Sequence, residues 1–269
     1  MKKVNLWILA FLITLSAALY QRLTGPTYPI RGRSDINGTE IKFKLLRNHE
    51  IGPDCNIDVK VPDNAIEGYL LYKKYPTDDP WEKIPMSRDE DMLSANLPQQ
   101  PSSGKLAYKV YLIHSSEETS LTGDEPVIIR FKNYVPRTIL YPHIIVMFLA
   151  MLFSTRAGIE ALKKKGNPRK LVLWTVGLLF VGGLILGPLV QKYAFGSLWT
   201  GFPFGYDLTD KKTLIAFLGW MTALIAGRKG KPARGWVLGA SLLLLIVYLI
   251  PHSLLGSQLD YSKLNTPYK

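Results

Sequence analysis

Leu171 to Val190 reads LVLWTVGLLFVGGLILGPLV, without one charged residue. At 1.5 Å per residue, such a run covers the roughly 30 Å of hydrocarbon in a bilayer. A membrane-spanning helix is therefore the first constraint on the fold. Trp236 to Ile250 is comparably apolar, and Ile139 to Phe153 reaches spanning length once the turn through Gly158 is included. Leu214 to Ala226 is shorter and must borrow Thr213 and Gly227 to cross. Val4 to Leu19 follows Met1-Lys2-Lys3 and suits either a cleaved signal ending near Ser16-Ala17-Ala18 or a short anchor. Tyr20-Gln21-Arg22 reads as an interfacial collar and favours the uncleaved anchor.

Charge fixes the orientation expected of these runs. Basic residues gather in three groups: Lys2 and Lys3; Arg156, Lys163, Lys164, Lys165, Arg169 and Lys170; Arg228, Lys229, Lys231 and Arg234. Glu160 is the only acid among them, so these segments account for nearly all of the formal net charge of +12. Clustered cations can be the footprint of nucleic-acid binding, but here the positive-inside rule explains them and no nucleic-acid partner is expected. The expected topology puts the amino terminus inside, the segment from Tyr28 to Lys132 outside, four further helices in the membrane and the carboxyl tail outside. The expected pieces are an anchor or signal peptide at 1–22, an exported domain at 27–133, a four-helix membrane domain at 137–256 and an extracytoplasmic tail at 257–269.

The exported segment has the patterning of β structure. Ile41 to Leu46, Ile57 to Val61, Gly68 to Tyr72 and Ala107 to Leu112 alternate apolar and polar residues, with turn clusters such as Ile51-Gly52-Pro53-Asp54 between them. That pattern predicts an antiparallel sandwich. The stretch YLLYKKYPTDDPWEKIPM and the later LAYKVYL resemble the central strands of an immunoglobulin-like or fibronectin type III domain. The resemblance implies a fold, and modules of this kind mostly bind proteins or act as spacers. The fold class expected is thus a membrane all-α bundle, an N-terminal anchor plus four helices, carrying an inserted all-β immunoglobulin-like sandwich outside the membrane.

Chemistry-bearing motifs are sparse. Cys55 is the only cysteine, so no intramolecular disulfide can form, and the bland reading is a half-buried thiol near a turn. The chain has no Gly-x-Ser-x-Gly elbow, Walker loop, HExxH or paired cysteines. His49 and His114 stand singly. Asp89-Glu90-Asp91 with Asp78-Asp79 lacks the alternate-oxygen spacing of a calcium loop and reads as a solvated acidic turn. Asn37-Gly38-Thr39 fits a glycosylation acceptor.

The membrane half offers one constellation. His143, in Tyr141-Pro142-His143, and His252, in Pro251-His252-Ser253, are expected at the outer ends of their helices. Between them lies the outer loop KYAFGSLWTGFPFGYDLTDKK, rich in aromatic residues and glycine. Two histidines and an aromatic platform on one face suit a flat, apolar, metal-containing ligand. A loop of form Gly-x-x-Trp with a downstream aromatic-Asp, a helix beginning Thr-Leu-Ile, a basic turn, a further helix and an outer histidine are similar to the haem-handling domain of cytochrome c assembly proteins. That resemblance implies a haem, with Gly196, Trp199, Tyr206 and Asp207 as loop residues and His143 and His252 as iron ligands. The chain departs from that pattern at Phe195 and Tyr206, where the family has tryptophans, and at Gly201 to Gly205, which looks inserted.

The plainer reading makes Tyr193, Trp199, Phe202, Phe204 and Tyr206 an interfacial aromatic belt and leaves the histidines as ordinary interface residues. As a whole the chain, notably YQRLTGPTYPIRG and GPLVQKYAFGSLWTGFPFGYDLTDKKTLI, resembles a family of bacterial membrane proteins that brings no activity with it. The expected function is a non-enzymatic inner-membrane component, with the bilayer around it and a protein partner for its sandwich. The competing expectation is a haem-binding or electron-transfer subunit. A hydrolase with Asp207 or Asp210 as general base comes last, because neither has a nucleophile or metal beside it in the sequence.

Overall fold

In a computed structural model of the chain, residues 3–205, 207–228, 233–251 and 258–262 are described. The chain divides into two compact units. One comprises Met1–Pro26 and Val135–Ser257; the other comprises Thr27–Tyr134 and Gln258–Lys269.

The first unit is helical. Its helices are α1 (Lys3–Thr24), α2 (Arg137–Ala161), α3 (Arg169–Phe195), α4 (Leu208–Ala226) and α5 (Arg234–Leu249). Among the described residues α1, α2 and α3 are long and apolar enough to cross a membrane. At 16 residues, α5 measures about 24 Å and is shorter than a full span. Large apolar side chains cover the outside of the bundle: Ile8, Leu12, Ile145, Trp174 and Ile246 are each more than half exposed. Such a surface would be costly in water and is ordinary against lipid. The interior is filled by small residues of α2 (Ala150, Ala157, Ala161) around Trp220 of α4 and Leu244 of α5.

Helix direction follows from contacts within this unit. Gln21, at the end of α1, donates from Nε2 to the Tyr248 carbonyl (2.6 Å) at the end of α5. Lys212, at the start of α4, donates to the Ile250 carbonyl (2.6 Å). At the other end, Arg234 at the start of α5 donates to the Lys164 carbonyl just beyond α2. The helices therefore alternate in direction, with α1 and α5 parallel.

Within α3, residues Phe180–Leu186 form a π-helical turn immediately ahead of Pro188. Proline has no N–H and its ring clashes with the carbonyl four residues back, so the preceding turn widens to the i−5 register. Gly187 N–H accordingly bonds the Gly182 carbonyl. The glycines here admit neighbours: a Cβ on Gly182 would lie 2.8 Å from Met147 Sδ, and one on Gly183 2.7 Å from Thr213 Cγ2.

The second unit is built of β strands. A hairpin joins β1 (Ile30–Ile36) to β2 (Thr39–Leu45). Its two-residue turn is Asn37-Gly38, both at positive φ, the Asn-Gly signal for a type I′ hairpin. The remaining strands are β3 (Asn48–Glu50), β4 (Cys55–Lys60), β5 (Glu67–Lys74), β6 (Glu82–Pro85), β7 (Ser87–Asp89), β8 (Met92–Leu97), β9 (Lys105–His114), β10 (Glu117–Ser120) and β11 (Val127–Lys132). They form a sheet of order β3-β11-β9-β5-β6, with β10 on β9, and a sheet of order β4-β8-β7. All pairs are antiparallel except β3 with β11.

One core is filled from every sheet. Leu45, Ile57, Leu70, Leu97, Leu106, Val110 and Phe131 are buried together, each at an alternate position of its strand. Tyr108 is also in this core, and its hydroxyl donates to the Leu46 carbonyl at 2.8 Å. Cys55 is fully buried in the core rather than half-buried. The carboxyl-terminal segment belongs to this unit too. Leu259 N–H bonds Ser103 O, and the Tyr261 hydroxyl accepts from Lys105 N–H (3.0 Å) and donates to the Lys105 carbonyl (2.9 Å).

Candidate functional site

The loop between α3 and α4 is held by its own backbone. Gly196 ends α3 at φ 85°, the left-handed cap that glycine favours. Asp207 caps α4, its Oδ1 accepting from Thr209 N–H at 2.7 Å. Asp210, one turn later and 6% exposed, accepts from the backbone N–H of Thr200 (2.7 Å) and Gly201 (3.0 Å) through Oδ2. Gly201 is required there, since a Cβ would sit 2.6 Å from Asp210 Cβ. Gln191 Nε2 reaches Thr200 Oγ1 at 2.6 Å and ties the loop back to α3. Both aspartates thus hold the loop in place. A general base acts on a nucleophile or metal within reach, whereas Asp210 is occupied by two backbone N–H groups and the Thr200 hydroxyl (3.4 Å).

His143 lies six residues into α2, and its Nδ1 meets the Gly182 carbonyl of the π turn at 3.0 Å. Donation to that carbonyl fixes the tautomer and leaves Nε2 as an acceptor. Trp199 Nε1 donates to the Phe202 carbonyl (3.1 Å), inside its own loop. Phe202 and Phe204 are 69% and 82% exposed. His252 and Tyr206 lie outside the described residues.

Set against a haem, this arrangement fits poorly. Among the described residues, His143 offers one ring nitrogen, Trp199 is committed to the loop, and the phenylalanines turn outward. The small cavity near this end, lined by Gln21, Met147, Lys212 and Tyr248 among others, holds about 10 Å³. A bound cofactor needs a site of several hundred Å³. Nor is any cluster of three or more His, Cys, Asp or Glu side chains arranged for a metal ion among the described residues. Exposed aromatic side chains beside a helix end fit an interfacial belt.

A second feature lies on the sheet and was not singled out in the sequence. Residues of β5 and β9 that face away from the core carry a ladder of cations over rings. Tyr69 and Tyr111 pair across the strands with stacked rings, centroids 5.1 Å apart and 8° from parallel. Lys83 Nζ, from β6, sits 3.7 Å above the Tyr69 ring. Trp81, just before β6, is approached by Lys73 Nζ at 5.4 Å and Lys109 Nζ at 5.9 Å. Each contact is a cation over an aromatic face. Acids anchor the phenols: Tyr69 Oη donates to Glu118 (2.8 Å), and Tyr72 Oη to Glu82 (2.5 Å). Burial, then the bond to the neighbouring carboxylate, pushes each phenol up to about 12. The signal was present as alternation, because Tyr69, Leu71 and Lys73 share one parity while Lys109 and Tyr111 share the matching one.

The isolated histidines of the β unit have local roles. His49 Nε2 meets the Pro53 carbonyl at 3.0 Å and its ring packs edge-on to Phe131, while His114 approaches Asn37 Nδ2 at 3.5 Å. The acidic turn is dispersed, with Asp91 beside Lys60 (3.7 Å) and Asp79 hydrogen-bonded to Thr77.

No protein-family model matches this chain, and no curated protein matches it.

Proposed function

We propose that the chain is a multi-pass protein of the bacterial inner membrane, not an enzyme, whose bundle displays an extracytoplasmic immunoglobulin-like domain to an acidic surface on a protein partner. The amino terminus stays in the cytoplasm in this reading, and all five helices cross. Three apolar helices, a lipid-like exterior and basic connections at one end of the alternating bundle support it. In this reading the short α4 and α5 cross by packing against each other and α2 through Trp220, Ala223 and Leu244, with the bilayer thinning to meet them. For the sandwich, support comes from the strand order, β3-β11-β9-β5-β6 beside β4-β8-β7 around one core, with β3 parallel to β11.

The observation that carries the binding reading is the face formed by Lys73, Lys83 and Lys109 over Trp81, Tyr69 and Tyr111. Aromatic residues and cations held in place lose little side-chain freedom on binding, and they are enriched where interfaces concentrate energy. A photo-cross-linking residue at position 83 in whole cells tests the reading. One discrete protein adduct, lost with Lys73→Glu/Lys109→Glu, is expected. Adducts unaffected by that charge reversal would overturn it. Orientation is tested separately with an impermeant thiol reagent: Ser197→Cys should label from outside, and Lys164→Cys only after permeabilisation.

A further inference from the structure

At the basic end of the bundle a cavity of about 730 Å³ opens between the start of α3, the end of α4 and the start of α5. Three arginines line it, Arg169, Arg228 and Arg234, one from each helix end, and none of the described lining residues is acidic. Apart from Asn167 the remaining side chains of the wall are apolar, including Val172, Leu224 and Val237. Among the described residues no carboxylate pairs with these arginines. Glu160, the one acid of this end, is held by Arg156 Nη1 at 2.7 Å and Lys163 Nζ at 3.1 Å, and so leaves the cavity's charge uncompensated.

The helix ends add to that field. Neither α3 nor α5 has an acid in its first turn and each begins with an arginine, although Asn167 Oδ1 accepts from Arg169 N–H at 3.2 Å. Cations at helix amino termini are unfavourable against the dipole, and an anion placed among them would relieve the cost. A purely inorganic anion would leave the apolar wall unused. Leu173 and Ile225 of the same wall are each more than half exposed, where acyl chains would lie.

We infer that this cavity binds one anionic phospholipid of the inner leaflet, its phosphate among Arg169, Arg228 and Arg234 and an acyl chain along Val172, Leu224 and Val237. The inference rests on the membrane reading above, and the experiment separates the two. Full-length protein is first tested for membrane integration by alkaline extraction. It is then purified in neutral detergent, delipidated and offered phosphatidylglycerol, phosphatidylcholine or inorganic phosphate. Bound lipid is counted by native mass spectrometry.

Retention of about one phosphatidylglycerol per chain, little phosphatidylcholine and no displacement by inorganic phosphate is expected. Arg169→Gln/Arg228→Gln/Arg234→Gln should weaken that retention roughly a hundredfold, from the contribution of each cation near an anionic headgroup. Arg31→Gln/Lys42→Gln/Lys60→Gln removes the same charge from the exposed sandwich surface and should leave retention unchanged. Equal retention of neutral and anionic lipid overturns the inference, as does a cavity triple variant that binds like wild type. Displacement by phosphate at comparable concentration overturns the lipid assignment. Extraction of the protein from membranes by alkali would instead defeat the membrane reading.

Discussion

Lys212 Nζ donates to the Ile250 carbonyl at 2.6 Å, joining the start of α4 to the residue that caps the end of α5. Lys212 is 4% exposed, and Gln21 from α1 serves the Tyr248 carbonyl alongside it. The final carbonyls of a helix have no partner within it, and a cation there also meets the negative end of the dipole. Three helices are thereby fastened at one point. Replacing the ammonium with a methyl-capped chain, Lys212→Met, leaves that carbonyl partly unserved. A loss of about 1.5–3 kcal/mol is expected, read as a lower melting temperature in detergent, with Lys212→Arg retaining part of it.

A second fastening is steric. Gly158 of α2 faces Ser241 of α5 so closely that a Cβ would sit 2.4 Å from the Ser241 hydroxyl oxygen. That hydroxyl donates to the Ser154 carbonyl at 2.9 Å. Small residues let helices in a membrane approach and bond in this way. Gly158→Ala should cost about 1–3 kcal/mol by forcing the pair apart, and adding Ser241→Gly should restore part of the loss. No rescue by Ser241→Gly would show that the two backbones are not in contact.

The β unit should weaken in alkali. Burial raises the Cys55 thiol from 9.0 to about 12, and burial with a carboxylate partner raises the Tyr69 and Tyr72 phenols from 10.0 to about 12. Burial pushes Tyr108 upward as well. A folded state that keeps its protons while the unfolded chain releases them loses stability as pH rises. The contribution is whole below about pH 9, falls through the interval from there to about 12, and is gone above it. Tyrosinate absorbance followed with circular dichroism should show ionisation and unfolding together. Cys55 should resist thiol reagents until that transition, and rapid labelling at neutral pH would contradict its burial.

Purified after expression with abundant haem, the protein should show no Soret band. Trp199 bonds within its own loop and His143 is held by Gly182, so at this end of the bundle the described residues offer one histidine nitrogen as a ligand. A Soret band abolished by His143→Ala would establish a haem site and displace the interfacial-belt reading.

Much of the architecture was legible because it depends on periodicity. Alternation at Ile57 to Val61 and Ala107 to Leu112 marks β4 and β9, whose alternate residues enter the core. What was missed depends on single residues meeting across the chain. Tyr261 sits in a polar tail with no pattern, yet its hydroxyl bonds Lys105, so the separate tail expected from the sequence has part of its length in the β unit. Asn37-Gly38 suggested a glycan acceptor, while its positive-φ geometry serves a hairpin. Arg156 counted among the connecting cations, whereas it lies inside α2, 5% exposed, paired with Glu160 and 5.6 Å over the Trp7 ring. The lysine–aromatic face required strand register, which no single strand reveals.

Trp220 offers a test of packing at the centre of the bundle. It is fully buried, and its indole Nε1 has no hydrogen-bond partner among the described residues. An orphan donor in an apolar interior costs about 1–3 kcal/mol, while the ring itself fills space between α2, α3 and α5. Trp220→Phe removes the donor and keeps most of the ring, so cavity loss and polar relief oppose each other and stability should stay within about 1 kcal/mol of wild type. Trp220→Ala has no such offset and should lose about 3–5 kcal/mol. Thermal unfolding of both variants in one detergent decides the matter. If phenylalanine costs as much as alanine, the indole N–H is making a bond that holds the bundle together.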